Sequence, residues 1–260
     1  MKGKVAIVTG AARGIGRGVA LELAKEGMKI GLVDLKESQI RPVLDEVKKF
    51  RIEAIAIEAN VTSAETTKRM AKETIDAFGQ IDVLVNNAGI IIMASFTDEL
   101  TPENWDKIFN VNLKGQLLCA QAVMPCMIER KSGRIVNMSS IGSIRPQTGF
   151  LSYCLSKMAV TGLTQILAKG LGEHNITVNA VCPGFVETNM WKDHLNPVFA
   201  PLMGVSPDQV VETYSLENTL LKRPQTTEDI AQAVAFLCKA DNITGVALNV
   251  SGGYELKDPS

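Results

Sequence analysis

The sequence predicts an α/β fold, a single doubly wound parallel sheet with helices on both faces. Three observations predict it. Short apolar runs alternate with longer stretches of helical period along all 260 residues. Several of those runs are continuous and rich in Val and Ile, as strands buried on both faces require. No Pro/Gly/Ser-rich linker, low-complexity run or repeat interrupts the alternation, so residues 1–260 are read as one domain.

The expected strands are residues 5–8, 30–33, 54–57, 83–85, 135–137, 178–181 and 246–250. Helical period marks 19–25, 65–77, 105–128 and 159–171 between them, which is the signature of βαβ units. One stretch departs from the pattern. Residues 185–224 carry Pro197, Pro201, Pro207 and Pro224 among large apolar side chains, Met190, Trp191, Phe199 and Met203. Two readings stand: a long loop with two short helices, or a cover over a substrate pocket. The second is preferred, because long loops in compact α/β domains carry function.

Composition excludes several classes. A formal net charge of -1 gives no electrostatic case for nucleic acid. No basic stripe or long apolar run suits a membrane, and Met1 leads directly into strand-like sequence without a signal-peptide pattern. Five cysteines, Cys119, Cys126, Cys154, Cys182 and Cys238, make no CxxC pair, which suits a reducing, cytoplasmic compartment. Two histidines, His174 and His194, give no basis for a His-built metal site, and no metal is expected.

The first expected strand ends in Thr9-Gly10-Ala11-Ala12-Arg13-Gly14-Ile15-Gly16, and a helix follows. Glycines let a backbone turn sharply and approach a pyrophosphate, and the helix N-terminus offers unpaired N–H groups. In this position the loop predicts a Rossmann-type dinucleotide site. The second strand ends at Asp34, where an acid can grip the adenosine ribose hydroxyls. A carboxylate there repels the 2′-phosphate of NADP, by on the order of 1–4 kcal/mol at ~4 Å. Arg13 and Lys36 argue the other way, since either could pair with that phosphate. Asp34 holds the discriminating position, so NAD is favoured and NADP is the alternative.

Tyr153 and Lys157 are four residues apart and share a helix face. A tyrosine is a poor base at neutral pH, but a neighbouring ammonium or an oxidised nicotinamide favours its phenolate. The pair can therefore move a hydroxyl proton while a cofactor moves hydride. Upstream, an expected strand runs into Asn137-Met138-Ser139-Ser140, and a hydroxyl at a strand end can hold a substrate oxygen.

Taken together, the chain resembles the short-chain dehydrogenase/reductase family. The matching pieces are Thr9-Gly10-x-x-x-Gly14-x-Gly16, Asn86-Asn87-Ala88-Gly89, Asn110-Val111-Asn112, Ser140, Tyr153-x-x-x-Lys157 and Pro183-Gly184, in the family's order. The resemblance implies roles. Tyr153 would be the acid/base, and Ser140 would position the reacting oxygen, with Ser139 the alternative. Lys157 would bind the nicotinamide ribose and lower the tyrosine pKa. Asn112 would hold a water that relays protons. Gly10, Arg13, Gly14, Ile15 and Gly16 would cradle the cofactor, and Asn87, Ala88 and Gly89 would shape the adenosine side and steady the sheet. Pro183, Gly184, Val186 and Thr188 would meet the nicotinamide end. Asn60-Val61 departs from the Asp-Val of many relatives, and Asn60 is expected to accept from the adenine amino group through its carbonyl oxygen.

The substrate is less legible. The segment after Pro183-Gly184 looks longer than in 3-oxoacyl-carrier-protein reductases of the family, and with Met190-Trp191 it is most similar to polyol and acetoin/diacetyl members. Gln147 is placed to offer its amide to a second oxygen of a diol or hydroxyketone, or is a solvated loop residue. Trp191 covers the pocket or is packing. Ile90-Ile91-Ile92-Met93 would wall the pocket or pack on the cover. The expected reaction is NAD(H)-dependent interconversion of a secondary alcohol and its ketone. One rival is NADPH-dependent 3-oxoacyl-carrier-protein reduction. The other, a non-enzymatic dinucleotide-binding regulator, has no need of Ser140, Tyr153 and Lys157. Apolar residues Leu117, Leu118, Val123 and Met124, on helices that relatives use for assembly, imply a homotetramer.

Overall fold

A computed structural model describes residues 1–93 and 100–257. Seven strands form one parallel sheet: β1 (Val5–Thr9), β2 (Lys29–Asp34), β3 (Ala54–Glu58), β4 (Val83–Asn86), β5 (Gly133–Met138), β6 (Ile176–Pro183) and β7 (Ala247–Val250). Their order is β3-β2-β1-β4-β5-β6-β7. The chain builds outward from β1 to β3, then returns to pair β4 with the other side of β1. That reversal opens a crevice at the carboxyl ends of β1 and β4, where α/β sheets bind ligands.

Period-two alternation divides the strands between two cores. Ala6 and Val8 of β1, Val83 and Val85 of β4 and Val136 of β5 face one side. There they meet α1 (Gly14–Lys25), α2 (Glu37–Lys48) and α9 (Thr227–Lys239), through Val19, Leu23, Ile40, Val43, Ile230 and Val234. Ile7, Leu84 and Ile135 face the other side. They pack on α3 (Ala64–Phe78), α5 (Gly115–Arg130) and α6 (Leu151–Leu171), through Met70, Cys119, Val123 and Met127. No helix among the described residues is long and apolar enough to cross a membrane.

The helix expected over 105–128 is divided. Helix α4 (Pro102–Phe109), capped by Thr101, runs into a π-helical turn at Asn110–Lys114 before α5 begins. The wide turn carries Asn112, whose side chain is drawn to the backbone of Ile90. A π-turn is a local expansion that often marks a functional position. Helix α6 begins earlier than the expected residue 159, so Tyr153 and Lys157 lie in its first two turns.

The 185–224 stretch leaves β6 and makes a parallel bridge between Val186 and Gln225. It contains a π-helical turn at Trp191–Leu195, α7 (Asn196–Met203) and α8 (Val210–Asn218). Pro197 and Pro207 lie at the start of helical segments, where a missing N–H costs nothing.

Candidate active site

One cleft of about 980 Å³ runs along the carboxyl edge of the sheet, from Asp34 past the glycine loop to Tyr153 and Trp191. Every residue proposed from sequence for the cofactor or the substrate lines it except Gly16. Asn112 lies behind the wall, fully buried.

The cofactor half is held by cross-strand bonds at the switch point. Gly10 has φ of +65°, and a β-carbon on Gly16 would fall 2.1 Å from the Gly10 carbonyl oxygen. The loop can close only on glycine at both positions. Asn87 Nδ2 donates to the carbonyls of Thr9 (2.9 Å) and Gly10 (3.1 Å), while Thr9 Oγ1 accepts from the amides of Asn87 (3.0 Å) and Ala88 (3.1 Å). Asn87 thus ties the loop after β4 to the loop after β1. No side chain caps the N-terminus of α1, and its first turn holds no acid. Those N–H groups suit a pyrophosphate. The Asp34 carboxylate accepts from the amides of Ala12 (3.0 Å) and Leu35 (2.8 Å). Thr188, beyond Pro183, Gly184 and Val186, comes within 3.4 Å of the position a Gly14 β-carbon would take.

Two cofactor expectations change. Arg13 reaches Asp193 at 3.3 Å, so its guanidinium is directed to the 185–224 segment instead of toward Asp34. Asn60 Oδ1 already accepts from the amide (3.0 Å) and hydroxyl (2.9 Å) of Thr62. Thr62 thus engages the oxygen expected to accept from an adenine amino group.

At the chemical end, β5 stops at Met138 and the chain turns. Ser139 Oγ donates to the Lys157 carbonyl (2.9 Å), which spends that hydroxyl on α6. Ser140 Oγ accepts from Gly142 N–H (3.1 Å), and Ser140 lines the cleft with Tyr153. Of the two serines, Ser140 is the one available to a substrate. Lys157, 3% exposed, donates from Nζ to the Met138 carbonyl at 2.7 Å. Its ammonium lies 5.7 Å from the Tyr153 ring centroid. Burial pushes the Tyr153 phenol up to about 12, and a hydrogen bond with Ser140 works against it. Burial also pulls Lys157 down to about 8. Burial is the largest influence on the Tyr153 phenol and favours its neutral form.

Asn112 makes a closed set of bonds. Oδ1 accepts from Ile90 N–H (2.8 Å), and Nδ2 donates to the Ile90 carbonyl (2.9 Å) and to Ser156 Oγ (3.1 Å). Both amide hydrogens are used, so its side chain positions the backbone at Ile90 and cannot donate to a relay water as well.

At the substrate end, Gln147 does not offer its amide hydrogens to the cavity as expected. Nε2 contacts the hydroxyls of Tyr214 (3.1 Å) and Tyr254 (2.7 Å). Trp191 packs edge-on against Phe185 (5.9 Å between centroids), and Phe185 also meets Tyr214 and Tyr254 (4.8 Å each). Met190 and Ile90 to Met93 also line the cleft. Phe199, part of the segment expected to cover the pocket, lines the cleft, as do Arg145, Phe150, Tyr214 and Tyr254, which were not anticipated. One signal was available: the chain has only three tyrosines, and all three are here.

Comparison with known proteins places this geometry. A family model described as short chain dehydrogenase matches residues 4–197. The chain is 39% identical over 253 residues to the 3-oxoacyl-[acyl-carrier-protein] reductase FabG of Staphylococcus epidermidis, covering 96% of this chain and 98% of that protein. Among solved structures, NAD+-bound xylitol dehydrogenase superposes with a TM-score of 0.90 at 31% identity, over 97% of this chain and 99% of the other. A variant of actinorhodin polyketide ketoreductase with NADPH gives 0.91 at 34% identity, over 97% of each chain. The chain belongs to the short-chain dehydrogenase family and is an NAD(P)-dependent oxidoreductase acting on CH–OH and ketone groups.

Proposed function

We propose that this enzyme interconverts a compact secondary alcohol, a polyol, diol or hydroxyketone, and its ketone with NAD(H). The observation that carries the reading is the aromatic wall of Phe185, Trp191, Tyr214 and Tyr254 lining the cleft that also holds Tyr153 and Ser140. A small substrate fills such a space. A long acyl chain needs an open exit.

Asp34 would hold the adenosine ribose and disfavour a 2′-phosphate, the first turn of α1 would hold the pyrophosphate, and Lys157 the nicotinamide ribose. The bound nicotinamide supplies or accepts the hydride. Ser140 Oγ donates to the substrate carbonyl and keeps it against Tyr153. In reduction, Tyr153 gives its phenolic proton to the developing alkoxide; in oxidation, its phenolate takes the hydroxyl proton. A protonated Lys157 would favour the phenolate against the burial that disfavours it. A substrate packed against the aromatic wall would displace water from the reacting carbon.

A second reading, NADPH-dependent reduction of 3-oxoacyl thioesters, is favoured by the 39% identity to the staphylococcal FabG. A panel of NADH and NADPH with short hydroxyketones, polyols and 3-oxoacyl thioesters separates the two. Highest kcat/KM with NADH and a hydroxyketone or polyol supports the first reading, and NADPH with a long thioester supports the second. We also propose a homotetramer built on α5 and α6. Val123 is buried in the core, but Leu155 (38% exposed) and Ile166 (71%) leave apolar surface on α6. A monomer by light scattering contradicts that assembly.

A further inference from the structure

Tyr214 and Tyr254 have no part in the chemistry above, yet their hydroxyls meet at one amide, Gln147 Nε2, at the far end of the catalytic cleft. Counting hydrogens there is informative. The amide gives one hydrogen to each phenol oxygen, and each phenol keeps its own. If one phenol turns to the other, the second proton still has no acceptor within the trio. With the amide turned over, its oxygen accepts both phenols and its two N–H hydrogens are left instead. In either arrangement the cluster has donors to spare.

Among the described residues neither phenol donates to an acceptor outside the trio. The Arg145 guanidinium stacks on the Tyr254 ring, 4.7 Å from its centroid, and donates to the carbonyls of Tyr254 (2.8 Å) and Lys257 (3.0 Å). It adds positive charge and pins the tail that carries Tyr254. Among the described residues lining the cleft, Asp34 is the one acidic side chain, and it lies at the adenosine end. A donor-rich, positively biased end of the cleft, with no carboxylate among the described residues beside it, suits an acceptor oxygen on a ligand.

We propose that Tyr214 and Tyr254, aligned by Gln147, bind a second acceptor oxygen of the substrate, so the preferred substrate is a ketone bearing another carbonyl, hydroxyl or carboxylate oxygen. This rests on the compact-ketone reading above and replaces Gln147 as the group that touches that oxygen. It also makes the C-terminal tail part of the specificity apparatus. Tyr254 follows β7 in a short 3₁₀ turn (Tyr254–Leu256), and Asn249 Nδ2 donates to Glu255 beside it at 2.8 Å.

The test uses Tyr214→Phe, Tyr254→Phe and the double variant, which remove hydroxyls and keep the rings. Wild type and variants are assayed with NADH on a hydroxyketone, a diketone, a 3-oxo acid and a simple ketone of equal carbon number. The double variant should lose about tenfold more kcat/KM on the dioxygenated ketones than on the simple ketone, mostly through KM. Its NADH affinity and Tm should match wild type, which separates lost recognition from lost structure. A greater loss for the 3-oxo acid assigns the site to carboxylates, and an equal loss assigns it to neutral oxygens. Equal losses on all four substrates overturn this inference alone. Wild-type turnover confined to long 3-oxoacyl thioesters overturns the compact-substrate reading alone; those thioesters carry a second carbonyl, so an unchanged kcat/KM of the double variant on them is what overturns this contact.

Discussion

The Asp34 carboxylate accepts the backbone N–H of Ala12, inside the glycine loop, at 3.0 Å. Its other oxygen accepts from Leu35 at 2.8 Å, so two amides hold the negative charge at the end of β2. A 2′-phosphate arriving there meets a fixed like charge. Asp34→Ala should raise the NADPH-to-NADH ratio of kcat/KM by about tenfold or more. Arg13 is occupied by Asp193, which leaves Lys36 as the nearer cation in sequence. Wild-type kcat/KM with NADPH equal to or above that with NADH contradicts the assignment.

Lys157 should lower the stability of the protein it serves. Its folded pKa is about 8 against an ordinary 10.5, so the buried ammonium opposes folding below pH 8. Between pH 8 and 10.5 the unfolded chain binds more protons at this site than the folded one, and the penalty is relieved as pH rises. Lys157→Met should therefore be more stable than wild type at pH 7, by up to ~3 kcal/mol, with the advantage shrinking toward pH 10. The Met138 carbonyl that Lys157 now occupies keeps a second donor, Gln116 Nε2, at 3.2 Å. Thermal unfolding of both proteins across pH checks this, and a variant less stable at pH 7 contradicts it.

The direction of catalysis should respond to pH through Tyr153. A phenol held near 12 by burial stays protonated through neutral pH, as ketone reduction requires. Alcohol oxidation needs the phenolate, so its kcat/KM should rise with pH while reduction shows no such rise. Parallel pH profiles for the two directions would rule out Tyr153 as the shared group.

Trp191→Ala should raise KM for the ketone and leave KM for NADH near wild type. The indole touches Phe185, Phe199 and Tyr214 at centroid separations of 5.9, 6.3 and 6.4 Å. Removing those contacts should also cost about 1 kcal/mol of stability. An unchanged ketone KM would remove Trp191 from the pocket.

The parts of this enzyme encoded over short distances were legible in the sequence. Short apolar runs, several of them continuous and rich in Val and Ile, marked all seven strands, and the loop from Thr9 to Gly16 and the Tyr153–Lys157 pair are local patterns. Features made by distant partners were not. Gln147 meets tyrosines 67 and 107 positions away, and Arg13 meets an acid 180 positions away, so no spacing rule reaches them. The break between α4 and α5 coincides with Asn112's bonds to Ile90, a tertiary contact across 22 residues. Spacing placed Lys157 beside Tyr153, but burial, which sets both pKa values, is a property of the folded core. Asn60 is different. Its bond to Thr62 is a local Asx-type turn, and the Asn-Val-Thr sequence carried that signal.

Tyr153→Phe tests the central claim most directly. The substitution removes one hydroxyl and keeps the ring between Ser140 and Lys157. With NADH and the best ketone from the panel, turnover should fall by about 10²-fold or more, the usual loss for a general acid. NADH binding, followed by fluorescence titration, should stay close to wild type. Activity above about a tenth of wild type, with NADH binding intact, would mean that another group delivers the proton.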